Sequence, residues 1–260
     1  MTKKFTLKRR AFSYPYILFM MIFVVLPLVL ILVNAFIANG RLTFSNFVDF
    51  IYDGSSLNTL FVSLLVGIIT TVICLLIGYP VAYILAKKKA GKLLVLLFVL
   101  PMWVNFLLRT LAMKTIFTSM GIELGMLTVI IGMVYNYLPF MIMPLYTSIS
   151  GIDKSYSEAA QDLGADAIGV FTSTTLPLSM PGIISGITMV FIPTISTFAI
   201  SELLSDRMIT LFGDSINLKF TQDMYGVGSV MSLVMIALVI VSNVLMSKAD
   251  KSRGEGKSNV

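Results

Sequence analysis

Residues 54–86 read GSSLNTLFVSLLVGIITTVICLLIGYPVAYILA, 33 positions without an aspartate, glutamate, lysine or arginine. A helix needs about 20 predominantly apolar residues to cross a bilayer, so this stretch is long enough to span one. It runs directly into KKKAGK, residues 87–92, whose lysines anchor its cytoplasmic end. Pro80 inside it predicts a bend. Lipid offers no partner to an unpaired N–H or C=O, so a chain built of such stretches must be helical. The period-two alternation of a membrane β-barrel is absent.

The same character extends in both directions. Charge-free runs cover Ala11–Gly40, Leu124–Ile152, Ala167–Ser201 and Met224–Ser247, and Leu93–Leu108 forms a shorter one that continues past Arg109. Only 12% of residues are charged, roughly half the ~25% of soluble domains. Six spans fit, at about 14–37, 58–86, 93–113, 126–149, 183–203 and 226–247. The expected fold is an all-α, polytopic membrane helical bundle forming a single transmembrane domain over residues 1–260. The first span follows a basic KKFTLKRR, but its apolar run exceeds the 7–15 residues of a signal-peptide core and no A-x-A site follows, so it reads as a retained span. The tail KADKSRGEGKSNV, residues 248–260, reads as polar and disordered.

Charge and residue types exclude several functions. The net charge is +6, but with six spans 14 basic residues fall on the side of the termini and 4 in the opposite loops. That bias places both termini in the cytoplasm and takes the place of a nucleic-acid surface. There is no histidine and a single cysteine, Cys74. His-based metal sites, Ser-His-Asp chemistry and an intrachain disulfide are thereby excluded. No G-x-x-x-x-G-K-[ST] phosphate loop occurs, so the chain is not expected to hydrolyse ATP or to hold a cofactor or metal.

The longest inner loop, 150–182, contains EAAQDLGADAIGVFTSTTLP at 158–177. It holds four acids (Asp153, Glu158, Asp162, Asp166) against one lysine, which is unusual on the basic side of a membrane protein. Ser155 and Glu158 read as a capping box opening a helix, and Gly164 reads as its stop. Glu158 and Asp162 stand at i, i+4, so both carboxylates share a face. A second short helix through Ile168 and Phe171 is expected to end before Pro177. Two short helices too polar for lipid suit a soluble partner with a basic surface. In the outer loop 41–57, Phe44, Phe47, Val48 and Ile51 share a face and predict a short interfacial helix.

Polar groups inside spans are costly against lipid and turn toward the bundle. Trp103 and Asn105 in the third span, and Tyr135 and Asn136 in the fourth, are therefore candidates for a translocation path. Arg109 is expected to pair with a carboxylate or with span-end carbonyls, as a structural residue. Gly182, Ser185, Gly186, Thr188, Thr194, Ser196 and Thr197 give the fifth span the small and hydroxyl residues of a closely packed helix.

The residues Glu158, Ala159, Ala160, Gly164, Leu176 and Pro177, followed by Pro181-Gly182, resemble the signature loop of the membrane subunits of bacterial ABC importers. Thr174 departs from the aliphatic residue usual there. The resemblance covers about 58–245. Within that family PMWVNFLLRTLAMKTIF and STFAISELLSDRMITLFGDSI are similar to the spermidine/putrescine branch, although Ser205-Asp206-Arg207 replaces a Gly-rich turn. The resemblance implies a type I importer permease in the cell membrane. It implies pairing with a second homologous permease, a cytoplasmic ATPase dimer that binds ATP and Mg, and an external or periplasmic binding protein. Coupling is expected through Glu158, Ala159, Ala160, Asp162, Gly164 and Pro177. For a cationic cargo, Glu202 and Asp206 (i, i+4 if the fifth span continues) and the ring of Phe198 are expected to join the path. A permease of the same class for another small solute and a stand-alone secondary transporter are the competing readings. A membrane enzyme lacks its acid–base pair.

Overall fold

The structure, a computed structural model, describes residues 13–38 and 40–254. The basic group Lys3, Lys4, Lys8, Arg9 and Arg10, and the last part of the tail, 255–260, lie outside the described residues. Among the described residues, four helices are long and apolar enough to cross a bilayer: α1 (Tyr14–Ala35), α3 (Gly54–Ala86), α6 (Met126–Ser150) and the Tyr225–Lys248 portion of α12 (Tyr225–Gly254). Two further pairs qualify only if each bent pair is counted as one crossing. They are α4 (Gly91–Trp103) with α5 (Phe106–Ser119), bent by 88°, and α8 (Ala167–Leu178) with α9 (Met180–Ser196), bent by 61°. The shorter helices are α2 (Ser45–Tyr52), α7 (Lys154–Asp162), α10 (Ile200–Leu204) and α11 (Phe212–Thr221). Among the described residues the fold is all-α except for a short ribbon, in which Ile37–Ala38 pairs antiparallel with Arg41–Leu42. Helix α12 continues to Gly254, into the tail expected to be disordered.

The chain forms two compact units, one comprising the chain up to Gly54 with Ile216–Ile236, the other Ser55–Ser215 with the chain from Ala237. In the first, α2 forms as the apolar periodicity predicts. Its inner face buries Asn46 and Phe50, while Val48 and Ile51 remain exposed. The Asn46 amide donates to the carbonyls of Ala35 and Ile37, each at 3.0 Å. It thereby satisfies the Ala35 carbonyl, which the end of α1 leaves without an intrahelical partner, and ties it to Ile37 of the ribbon.

The second unit is built on α3, α6 and α9. Along α3 the buried positions include Ser56, Thr59, Ser63, Gly67, Thr70, Thr71, Cys74 and Gly78. Large apolar residues on the same helix, such as Phe61, Ile68 and Leu76, are exposed. Apart from Val66, Tyr79 and Leu85, the buried positions are small or hydroxyl residues, an arrangement expected in lipid, where close backbone approach rather than hydrophobicity drives packing. Gly182 shows how close α9 comes to α6: a Cβ there would stand 2.4 Å from the Ser148 Cβ and 2.8 Å from the Pro144 carbonyl oxygen. One core, around Cys74, Ala82, Met141, Leu145 and Val190, joins α3, α6 and α9. A second joins Val66, Val129 and Met133 to Ile200, Leu204 and Leu211.

Two expected spans are broken. The third, 93–113, is interrupted because Leu100–Trp103 tightens into a 3₁₀ turn carrying Pro101, and Val104 is extended. Asn105 then caps α5, its side-chain oxygen accepting from the Leu107 N–H at 2.8 Å, so it is a capping residue rather than a mid-span amide. The fifth, 183–203, stops at Ser196. Thr197 is extended and Ala199 sits at φ 74° before α10 begins. A non-glycine residue in that region is strained. The Asp214 carboxylate compensates by accepting from the Ala199 N–H (3.1 Å), the Leu211 N–H (2.9 Å) and the Ser201 hydroxyl.

Candidate functional site

The cytoplasmic loop predicted at 150–182 consists of α7 and α8. Asp153, not Ser155, is the N-cap of α7, accepting from the Ser155 N–H at 2.9 Å. Those hydrogen bonds hold its carboxyl below the usual carboxylate range. The backbone leaves extended conformation at Asp153, which puts Ser155 inside the first turn and removes the expected capping box. The stop is as predicted. Gly164 has φ 87°, its N–H donates to the Gln161 carbonyl at 2.8 Å, and the Ala165 N–H donates to Ala160 at 3.0 Å. That pair of bonds is a Schellman motif, which requires a left-handed residue at this position.

Asp166 caps α8, accepting from the Gly169 N–H at 2.7 Å. The helix does not end before Pro177. It passes through a wide π turn at Phe171–Thr175 and continues to Leu178. A proline just after a π turn needs no donor of its own, which removes the conflict that made Pro177 read as a stop.

Glu158, Ala159 and Asp162 are exposed on α7. Glu158 also lines a cavity walled by Lys87, Lys88, Lys89 and Lys154 of the same chain. The sequence reading missed the apolar side chains beside this acidic face. Leu163 is 90% and Ile168 71% exposed, at the two helix ends that flank Gly164. Their signal was available as apolar residues next to a helix stop in a polar loop. The loop is tied to α3 by Phe171, whose ring meets Tyr79 and Tyr83 edge-on at 5.8 and 5.7 Å. The Tyr79 hydroxyl is 2.8 Å from that of buried Ser179, at the α8–α9 bend. A push on α7 and α8 therefore has a packed route to the longest apolar helix.

The second feature is a cavity of about 520 Å³ at the two span breaks. Four of the predicted path residues line it: Trp103, Asn105, Asn136 and Phe198. Trp103 is 81% exposed, so most of its surface is left uncovered by its own chain. Asn136 is buried. Its amide donates to the Gly132 carbonyl at 2.9 Å, while its Oδ1 has no partner. Arg109 lines the same cavity, and its Nε and Nη1 are buried without a hydrogen-bond partner. The expected carboxylate or carbonyl partner is absent among the described residues. The guanidinium instead lies 5.8 Å from the ring of Tyr135, which does not line the cavity.

Glu202 and Asp206 do not share a face. The helix carrying Glu202 ends at Leu204, and Asp206 and Arg207 are both left-handed, at φ 51° and 65°. Glu202 pairs with Arg207 at 2.9 Å and Asp206 with Lys114 at 3.0 Å, and neither carboxylate lines the cavity. Asp214 was missed because its three partners are gathered by the turn itself, which no periodicity announces.

Residues 75–253 match the family described as binding-protein-dependent transport system inner membrane components. The chain belongs to that family. It is a multi-pass membrane protein and a transport component. It is 39% identical to the spermidine/putrescine transport system permease protein PotB of Haemophilus influenzae, over 76% of this chain and 78% of that protein. It is 35% identical to the protein of the same name from Escherichia coli, over 77% and 82%. Among solved structures it is similar to a bacterial ABC transporter for the acidic polysaccharide alginate, with TM-score 0.63 at 15% identity over 95% of this chain and 94% of that one. The alginate transporter in complex with its oligosaccharide-bound periplasmic protein is similar at TM-score 0.63 over 91% of each chain. At that identity these two show the fold of an importer permease and nothing about cargo.

Proposed function

We propose that this chain is one of two permease subunits of an ATP-driven importer for polyamines such as spermidine and putrescine. It is read as a single transmembrane domain in the cytoplasmic membrane. Four long helices, with each bent pair counted as one crossing, support a reading of six crossings, and the charge bias supports cytoplasmic termini. Its partners are a second homologous permease, a pair of cytoplasmic ATPases that hold ATP and Mg, and an external binding protein that delivers cargo. The chain itself carries no catalytic site.

The observation that carries this reading is the exposed α7–α8 loop, closed by Gly164 and joined to α3 through Phe171. Glu158, Ala159, Ala160, Asp162, Gly164 and Pro177 belong to this coupling element, with Leu163 and Ile168 as its apolar contacts. Closure of the ATPase pair moves α7, and the Phe171–Tyr79–Tyr83 contact passes the movement to α3. The cavity at the span breaks is the half of the path that this chain contributes. Trp103 and Phe198 offer aromatic faces to ammonium groups, and Asn105 and Asn136 offer amides. The polyamine cargo rests on the names of the relatives at 39% and 35% identity.

Arg109 on the cavity wall favours a second reading, a permease of the same class that carries another small solute. Uptake of labelled spermidine by the reconstituted complex, challenged with unlabelled amines and anions, separates the two. Competition by putrescine and not by anions is expected. Competition by anions alone would overturn the polyamine cargo and leave the permease assignment standing.

A further inference from the structure

Lys87, Lys88 and Lys89 follow directly on α3, and Lys154 opens α7. The four side chains line one cavity of about 590 Å³. Lys87 lies 4.0 Å over the Tyr83 ring and donates to its hydroxyl. None of the four is ion-paired with a carboxylate among the described residues. The single carboxylate on the cavity wall is that of Glu158, with the amide of Gln161 beside it. The walls therefore hold three positive charges that this chain does not neutralise. All four lysines are exposed, and the end of α3 and the start of α7 bring them to the wall of the same open cavity. The cavity adjoins Ala86, the last residue of the apolar α3; on the proposed six-crossing topology, that position falls at the inner-leaflet headgroups.

We propose that this cavity binds a phosphate group carrying a neighbouring hydroxyl, supplied by the glycerol headgroup of phosphatidylglycerol in the cytoplasmic leaflet. Phosphate oxygens accept from Lys88, Lys89 and Lys154, and the headgroup hydroxyls donate to Glu158 and Gln161. A bare phosphate would leave the Glu158 carboxylate facing an anion, and a choline headgroup has no hydroxyl to offer it. Bound there, the lipid bridges the end of α3 and the start of α7, so the position of α7 depends on the anionic lipid content of the membrane. That consequence rests on reading α7 as the coupling element, whereas the binding itself does not.

The test uses the full-length chain co-purified with its partner subunits, and native mass spectrometry of bound short-chain lipid. Phosphatidylglycerol is expected to be retained over phosphatidylcholine, and Lys88→Gln with Lys89→Gln to weaken retention roughly fivefold per lysine. Both lysines are exposed, and the Lys88→Arg, Lys89→Arg double variant should restore retention, which separates lost charge from lost structure. Glycerol 1-phosphate distinguishes the sources. Displacement of the lipid by it supports the headgroup as the recognised part. Its binding where phosphatidylglycerol does not bind would overturn the lipid source. Equal retention of the two lipids, or a preference unchanged in the glutamine variant, would overturn the site. Because retention is read without cargo, failure of the polyamine assignment leaves this test intact.

Discussion

Gly164 and Arg109 mark the limits of reading single residues from sequence. Gly164 was legible because a helix stop that needs φ above zero leaves glycine as the unstrained choice. Gly164→Asp puts a side chain on a backbone at φ 87°, and it also adds a carboxylate beside the acidic face of α7. It is expected to abolish uptake while the subunit still inserts, as assayed by transport and membrane fractionation in parallel. Full transport would return α7–α8 to an ordinary connecting loop. Arg109 could not be read, because a charge in a span states that it needs a partner without saying whether its own chain supplies one. Its Nε and Nη1 have none here. Removing a half-buried guanidinium whose Nε and Nη1 lack hydrogen-bond partners relieves part of a desolvation penalty. Arg109→Met should therefore leave the stability of the purified subunit unchanged or raised by about 1–2 kcal/mol at most, as read by thermal melting. A clear loss of stability would mean that the guanidinium has a structural partner after all.

Elements were legible where hydropathy is continuous and illegible where it hides a break. The runs behind α1, α3, α6 and α12 each became a single long helix. The runs over 93–113 and 183–203 are equally apolar, but apolarity registers depth in lipid and not backbone direction. Pro101 was visible, but the 88° turn also needs extended Val104 and the Asn105 cap. The break after Ser196 depends on Asp214, whose carboxylate holds Ala199 in its strained conformation. Burial pushes this carboxyl up, against the pull of its three donors. Asp214→Asn keeps the shape but exchanges one acceptor oxygen for a donor that faces N–H groups. A loss of about 1–3 kcal/mol is expected, together with impaired uptake. Unchanged stability by thermal melting would show that the break is held by something else. The cavity at these breaks is tested with single cysteines at Trp103, Asn136 and Phe198 in a Cys74→Ala background. Labelling by a polar reagent from outside, reduced by spermidine, is expected for Trp103 and Phe198, the exposed members. Inaccessibility at every position in all transport states would remove the cavity from the path.

At the scale of the whole molecule, the low charge and the placement of lysines already described a multi-pass membrane protein. The loop motif pointed to the family that residues 75–253 match, and the structure adds how α8 reaches α3 through Phe171. What sequence could not convey is how little of the polar equipment for a cation this chain brings to its own cavity. Glu202 and Asp206 are committed to Arg207 and Lys114. The most direct test of the account is spermidine accumulation in proteoliposomes. They would contain this chain, its second permease and the ATPase pair, with ATP and Mg on the ATPase side and binding protein on the other. The account predicts accumulation above the external concentration, lost when ATP, the binding protein or this chain is omitted. Spermidine movement through this chain alone, without ATP, would contradict it and identify a stand-alone transporter.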